Sequence, residues 1–262
     1  MFAKLLKHDF RASWGLLGIL SLIALGAGAA GSGLIRYIDN GTNGDIWELL
    51  SLIAMMGVIF YLIAYSIAVM FILLGRFYKS RFTDEGYLTF TLPVTTHQVL
   101  LSSFLNCFLG LLAATVVTVV SFGIFTFFGI KELDGERMEF IRLCFQKLPD
   151  LIDLAGWGNI LSFLVMALAG TACELLTIML SITIGSVLAK KHKILAAIGV
   201  YYGLHVGLSI LCSVMFDSAL ASELTANTFQ HVMLTSTLLG TGTGLACYFV
   251  MYCLTHKKLN LN

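Results

Sequence analysis

The sequence predicts an all-α integral membrane protein with six transmembrane helices, and three observations support this. Six long apolar runs fill most of the 262 residues, and each exceeds the about 20 residues that a helix needs to cross a bilayer core. Hydrophobic residues make up 58% of the chain, above the about 45–50% of soluble proteins. The charges between the runs also separate by sign. The predicted spans are 14–34, 49–75, 99–129, 160–189, 194–216 and 232–254.

The charges between the runs predict which side of the membrane each gap faces. The N-terminus and the second, fourth and last gaps hold 11 Lys/Arg and three acids, whereas the other gaps hold five Lys/Arg and 11 acids. The positive-inside rule makes the first set cytoplasmic. We therefore expect a multi-pass protein of the cell membrane with both termini cytoplasmic. The net charge of +1 gives no indication of nucleic-acid binding.

The first 13 residues have the pattern of an amphipathic helix. Phe2, Leu5, Leu6 and Phe10 fall on one helical stripe, and the basic residues fall on the other side. This pattern is typical of a helix that lies in the headgroup layer. We expect a separate N-terminal interfacial helix, and the alternative is a straight extension of the first span.

Glycines recur at helical spacing in three spans and predict close helix packing. Small residues let transmembrane helices approach each other where lipid supplies no hydrophobic drive. The segment GTGTG at 240–244 lies inside an apolar run with no preceding strand, so it is not predicted to bind phosphate. The packing candidates are Gly26, Gly28, Gly31 and Gly33 in the first span and Gly199, Gly203, Gly207, Gly240 and Gly244 in the last two.

The cytoplasmic gap at 76–98 contains signals for a short structured element. Thr83 can cap a helix, and Asp84 and Glu85 would lie in its first turn, where the helix dipole favours negative charge. Pro93 forces the preceding residue out of helical geometry and ends the element. The gap is therefore either a well-capped loop or an element presented to a partner.

The third span has a clear start signal. Thr95 and Gln98 form a capping box, in which the Thr95 hydroxyl accepts a hydrogen bond from the backbone of Gln98. We therefore expect the membrane helix to begin directly after Thr95.

The longest outer gap, 130–159, alternates apolar and charged residues at helical spacing. This predicts an amphipathic helix or helix pair, bent near Pro149, on the outer surface of the membrane. Two interpretations stay open: a packed loop, or a lid over an exit path.

Glu174 is the only acid inside a predicted span. Charge at the bilayer centre costs about 2.5–3.5 kcal/mol on insertion scales, so such residues usually face a bundle interior or water. His205 lies at comparable depth in the next span, about four residues, or about 6 Å, different in height. Glu174 could line a translocation path, relay protons, or be a protonated structural acid bonded to Thr171 or Thr177.

Sequence motifs for catalysis are absent. The chain has no Gly-x-x-x-x-Gly-Lys-Ser/Thr, no His-Glu-x-x-His and no Gly-x-Ser-x-Gly, so it carries no recognisable ATP site or hydrolase signature. The six histidines form no ligand cluster along the sequence, and no metal site is predicted. We expect a non-catalytic chain without a cofactor of its own.

Three stretches of the chain carry a resemblance to a known family: RFYKSRFTDEGYLTFTLPVTTHQVLLSS at 76–103, FAKLLKHDFRASW at the start and HKKLNLN at the end. With the six spans, they resemble the bacterial type-2 ABC transporter permeases. The resemblance is closest to small six-span subunits found beside a separate ATPase in Gram-positive bacteria. The topology match covers the whole chain, and the residue-level match is concentrated in 83–94.

The resemblance implies a coupling element in the gap between spans 2 and 3 that docks into an ATPase subunit. It also implies an N-terminal interfacial helix packed beside that element. Two ATPase subunits would carry ATP and Mg, and a second permease, identical or a sister subunit, would complete the path. The residues implied at the ATPase contact are Phe82, Thr83, Asp84, Glu85, Gly86 and Tyr87.

The function expected from these observations is that of the permease half of an ATP-driven exporter, with a peptide or drug-like amphiphile as substrate. Glu174 and His205 are the candidate residues of the translocation path. One alternative is an ion-coupled secondary transporter that uses Glu174, but such folds usually show several midplane charges and an internal repeat. The other is a membrane enzyme or a scaffold that transports nothing.

Overall fold

The computed structural model describes residues 2–41, 45–83, 95–129, 137–189, 192–220 and 226–258. These ranges contain seven helices and no strand. All except α4 are long and apolar enough to cross a bilayer, which confirms the predicted all-α membrane fold with six spans. The helices are α1 (Phe2–Gly41), α2 (Asp45–Phe82), α3 (Thr96–Gly129), α4 (Arg137–Ala155), α5 (Trp157–Leu188), α6 (Lys193–Leu220) and α7 (Ala226–Lys258).

Helix α1 corrects one expectation. It is continuous from Phe2 to Gly41, so the described part of the amphipathic stretch is the first three turns of the span helix and not a separate interfacial helix. Helices break at proline, glycine pairs or inserted side chains, and residues 2–14 contain no glycine or proline. An amphipathic stripe looks the same whether or not the helix continues beyond it.

The ends of α2 and α3 follow local hydrogen bonding. The Gln98 backbone N–H donates to the Thr95 hydroxyl over 3.4 Å, and α3 begins at the next residue, as predicted. The Thr83 hydroxyl instead donates backwards to the carbonyl oxygen of Lys79. It therefore closes the last turn of α2, and the element that Thr83 is predicted to cap lies outside the described residues.

Helix α4 is a single helix that runs through Pro149. The described part of the gap at 130–159 therefore contains one helix of 19 residues, the first of the two predicted forms. Helix α5 follows closely, because Gly156 adopts a φ of 76° between the two helices. A positive φ favours glycine, which has no Cβ to clash in that conformation.

The chain divides into two compact units. We call Ala3–Arg76 with Leu105–Asp150 the amino-terminal unit, and Met1–Phe2 with Phe77–Phe104 and Leu151–Asn262 the carboxy-terminal unit. The two helix ends that border the gap between α2 and α3 thus belong to the same unit as α5, α6 and α7. Within that unit, α5 packs extensively against both α6 and α7.

The amino-terminal unit is held together by apolar packing and by close approach at glycine. Val58 and Leu62 of α2 pack with Phe125 of α3. A Cβ built on Gly28 of α1 would lie 2.5 Å from the hydroxyl oxygen of Ser121, so only glycine fits there. Gly31 is also close-packed, whereas Gly26 and Gly33 face open space.

Buried hydroxyl and amide groups of the amino-terminal unit bond to one another or to backbone. Ser13, 2% exposed, donates to the amide oxygen of Asn106 over 3.0 Å. Ser121 donates to the carbonyl oxygen of Ala24 over 2.7 Å. These contacts join α1 to α3, and we call them the closed polar set.

Glycine packing in the carboxy-terminal unit differs from the prediction. A Cβ on Gly244 of α7 would lie 3.5 Å from Cys173 and Leu176 of α5, which is ordinary contact. Gly185 of α5, which the sequence analysis did not select, lies against the backbone of Ala197. For the other candidates, no atom of the described residues lies within 4 Å of a Cβ built on the glycine: Gly199, Gly203, Gly207 and Gly240.

Candidate functional site

Glu174 and His205 lie at similar heights on two neighbouring helices. Glu174 is about 14 residues from the end of α5, or about 21 Å at 1.5 Å per residue, and His205 is about 12 residues, or about 18 Å, from the start of α6. A short connection joins the two helices. Because α5 packs against α6, the hairpin brings the two positions together.

The carboxylate of Glu174 accepts hydrogen bonds from α6. The Tyr201 hydroxyl donates to Glu174 Oε1 over 2.6 Å, and His205 Nε2 lies 3.1 Å from the same oxygen. The sequence predicted a height difference of about 6 Å between Glu174 and His205. In the structure the two positions are nearer in height, and the glutamate side chain spans the remaining distance.

The alternative partners of Glu174 are engaged elsewhere. The Thr171 hydroxyl donates to the carbonyl oxygen of Leu168, and that of Thr177 donates to the carbonyl oxygen of Cys173. Neither threonine bonds to the carboxylate. The hydrogen-bonding partners of Glu174 thus lie on the neighbouring helix and not on its own turns.

Sequence reasoning missed Tyr201. A tyrosine in an apolar span carries no charge signal, and its ring alone is compatible with ordinary packing. The available signal was spacing, because Tyr201 and His205 are four residues apart and so share one helix face. Their rings lie 4.5 Å apart between centroids. We call Glu174, Tyr201 and His205 the open polar set.

The open polar set is only partly covered by the chain. The side chains of Glu174 and His205 are 45% and 41% exposed. A charged side chain turned toward acyl chains costs about 2.5–3.5 kcal/mol or more, and such residues usually face protein or water. This face of α5 and α6 is therefore one that another protein surface or an aqueous path would cover.

A buried arginine joins the two helices that border the gap between α2 and α3. Arg81, 2% exposed, lies in the last turn of α2. Its Nε and Nη2 donate to the Ser103 hydroxyl over 3.0 and 2.8 Å, and Nη2 also donates to the carbonyl oxygen of Val99 over 3.3 Å. Hydrogen bonds from a charged donor are the strong ones, so Arg81 holds the start of α3 against the end of α2.

The start of α3 also contacts the last helix. The Tyr248 hydroxyl of α7 lies 2.5 Å from His97 Nδ1, and the rings of His97 and Tyr252 lie 6.4 Å apart between centroids. On the same helix, the Thr243 hydroxyl lies 3.2 Å from the sulfur of Cys173, which directly precedes Glu174. A continuous set of contacts thus runs from the gap through α7 to α5.

Of the residues predicted at the ATPase contact, two fall in the described part of the chain. Phe82 ends α2 and packs its ring against Phe77, with centroids 5.7 Å apart, and Thr83 is exposed. Asp84, Glu85, Gly86 and Tyr87 lie outside the described residues.

The chain was compared with protein-family models, with curated proteins and with solved structures, and none of them matches. Within the described ranges, no group of three or more His, Cys, Asp and Glu side chains could hold a metal ion. The interpretation of the site therefore depends on its own geometry.

Proposed function

We propose that this chain is the membrane-spanning permease subunit of an ATP-driven ABC exporter. Two permeases, identical or sister subunits, would enclose the path, and two ATPase subunits carrying ATP and Mg would dock on the cytoplasmic side. The chain itself would be non-catalytic. The proposal is supported by the six spans, by the charge asymmetry of the gaps and by the resemblance of 83–94 to the coupling segment of type-2 permeases.

The single observation that carries the proposal is the contact between Arg81 and the start of α3. An element that transmits a movement from a partner must be attached to helix ends that stay together when it moves. The buried guanidinium bonds to the Ser103 hydroxyl over 2.8 Å and so links the two ends of the gap. A displacement of the gap would then move α2 and α3 together.

A displacement of the gap can be transmitted toward the membrane interior through packed and hydrogen-bonded residues. His97 bonds to Tyr248 of α7, and α7 packs on α5 through Gly244. Coupling between distant sites is carried by such chains of packed and hydrogen-bonded groups when they have two arrangements. In the proposed cycle, closure of the ATPases would rock α7 and α5 and so alter access to Glu174.

The test is reconstitution with ABC ATPase subunits from the same organism. We expect the two chains to purify together and the permease in nanodiscs to raise the rate of ATP hydrolysis. Reversing the charge of the predicted docking element, Asp84→Lys with Glu85→Lys, should remove both effects. Glu139→Lys is the matched control, because Glu139 is an exposed acid of α4. Equal stimulation by the double variant and the wild type would contradict the proposal.

The predicted sidedness has its own test. In a chain stripped of native cysteines, Asp84→Cys should react with a membrane-impermeant maleimide only after the cells are opened. Reaction from outside intact cells would place the gap on the wrong side for an ATPase.

A second candidate function is favoured by the open polar set. A glutamate and a histidine that share a hydrogen bond near mid-helix are the residue types that relay protons in secondary transporters. The discriminating experiment is uptake into proteoliposomes that contain the permease alone. Transport driven by a pH gradient without ATP would support the second candidate and contradict the first.

A further inference from the structure

One oxygen of the Glu174 carboxylate is available to a ligand. Both contacts from α6 fall on Oε1, the Tyr201 hydroxyl at 2.6 Å and His205 Nε2 at 3.1 Å. Among the residues that the structure describes, Oε2 has no hydrogen-bond partner. Since 45% of the side chain is exposed, the chain leaves room for a donor to reach this oxygen.

The surroundings of the carboxylate are aromatic. The ring of Tyr201 lies beside that of His205 and 5.8 Å from that of Tyr202 between centroids, and Tyr202 is 65% exposed. An aromatic face attracts a cation within about 6 Å of its centroid, most strongly where water is excluded. A carboxylate that is bonded to one tyrosine, with the exposed ring of a second tyrosine beside the first, is therefore complementary to positive charge and not to an anion.

The chemistry of the donors excludes one class of cation. Calcium takes about 6–8 oxygen ligands, and magnesium requires near-octahedral oxygen coordination. The open polar set supplies one carboxylate and one phenol as oxygen ligands and one imidazole, and no group of three or more His, Cys, Asp and Glu side chains that could hold a metal ion exists among the described residues. A bare divalent ion would lack ligands here, whereas an organic cation needs only one opposite charge and apolar contact.

We propose that the face of α5 and α6 formed by Glu174, Tyr201 and Tyr202 binds an organic cation, with Glu174 Oε2 as its counter-charge. An ammonium would donate to this oxygen, whereas a delocalised lipophilic cation would be held by charge and by the tyrosine rings. For the role of this cation, the inference rests on the proposed function, in which it is the charged group of the exported compound. The site itself can be tested without an ATPase.

The test uses two probes of the same shape and opposite charge. The full-length chain in nanodiscs is titrated with tetraphenylphosphonium and, separately, with tetraphenylborate, and empty nanodiscs give the lipid background. We expect saturable binding of the cation only. Glu174→Gln should weaken it by at least about tenfold, because a partly desolvated charge pair is lost while the amide still accepts from Tyr201.

Three further variants control the comparison. Glu139→Gln makes the same charge change in α4 and should leave cation binding unchanged. His205→Gln keeps the carboxylate and removes the imidazole that competes for it, so binding should be retained or strengthened. Tyr201→Phe keeps the charge and the ring and should change the affinity by less than about threefold, as expected for the loss of one neutral hydrogen bond.

The outcomes separate the proposal from its rivals. Equal binding of the cation by Glu174→Gln and wild type overturns it, as does equal saturable binding of both probes by the wild type. A change of oligomeric state in Glu174→Gln, measured by native mass spectrometry, with unaltered cation binding would assign the carboxylate to a second copy of the chain and also overturn it.

One measurement requires no variant and covers the case in which Glu174→Gln does not fold. A benzophenone-bearing phosphonium is photo-crosslinked to the wild type, and label within α5 or α6 near Tyr201 supports the site. Label confined to other helices overturns it. Failure of ATPase stimulation with intact cation binding would instead contradict the exporter proposal and leave the site standing.

Discussion

The closed polar set and the open polar set both place hydrogen-bonding side chains in helix interfaces, but they differ in how much of each side chain is covered by protein. Ser13 and Asn106 bond to each other inside the amino-terminal unit, and both are at most 5% exposed. Glu174 also bonds across an interface, yet nearly half of its side chain is uncovered. Polar groups that hold helices together have their hydrogen-bonding capacity taken by other groups of the chain. A group that binds a ligand or another protein keeps a donor or acceptor that the chain does not use.

Arg81→Ala should have the largest effect on stability. Arg81 is buried and hydrogen-bonded like the residues of the closed polar set, but it is charged. Hydrogen bonds to charged groups contribute about 1.5–3 kcal/mol. We expect a loss of about 3 kcal/mol when the cavity is included, measured as a lower midpoint of thermal unfolding in detergent. Lys79→Ala, an exposed cation one half-turn earlier, should stay within about 0.5 kcal/mol. Equal midpoints for the two variants would contradict the conclusion that Arg81 holds the start of α3 against the end of α2.

Alanine at close-packed glycines should have the next largest effect. A Cβ on Gly28 would approach Ser121 to 2.5 Å, and one on Gly185 would approach the backbone nitrogen of Ala197 to 2.5 Å. Overpacking of this kind costs about 1–3 kcal/mol. Gly199→Ala is the matched control, since its Cβ meets nothing, and it should be neutral or stabilising by up to about 1 kcal/mol. A strong loss at position 199 would mean that this face is covered by a second subunit.

Ser121→Ala should have a small effect. The variant removes the 2.7 Å bond to the carbonyl oxygen of Ala24, and single interhelical hydrogen bonds in membranes average about 0.6 kcal/mol. Thermal unfolding should show a decrease of about that size. The control is Ser209→Ala, because the exposed Ser209 hydroxyl bonds within its own helix. A drop above about 2 kcal/mol at Ser121 would show that the closed set is far stronger than its geometry suggests.

Glu174→Gln should have the smallest effect on stability. The amide oxygen still accepts from Tyr201, and a partly exposed site loses little, so the unfolding free energy should change by less than about 0.5 kcal/mol. If the proposed function holds, the same variant should lose substrate-dependent ATP hydrolysis with the proposed ATPase subunits. If the free energy of unfolding fell strongly while ATP hydrolysis stayed normal, the carboxylate would be a structural group like those of the closed polar set, and the two sets would not differ in role.

The parts of the fold that the sequence predicted are those set by local composition. Apolar length alone locates the six spans, and the hydroxyl of Thr95 followed by Gln98 locates the start of α3. The continuity of α1 was not predicted, because an amphipathic stripe does not report whether the helix continues.

The parts that could not be predicted depend on how each helix is rotated against its neighbours. Gly199 and Gly244 look alike in the sequence, yet only Gly244 faces another helix. The same holds for Tyr201, which becomes part of the site because α6 turns it toward Glu174. Charge inside a span did single out Glu174 as a candidate, since no apolar packing explains it.

The length of α1 has a mechanical consequence. Its 40 residues extend about 60 Å at 1.5 Å per residue, about twice the hydrocarbon thickness of a bilayer. If such a rod pivots about its midpoint by about 10°, each tip swings by about 5 Å, roughly the rise of one helical turn. Small reorientations within the lipid would thus be magnified at Phe2, and a soluble subunit that touched this tip could sense or drive the tilt from outside the bilayer.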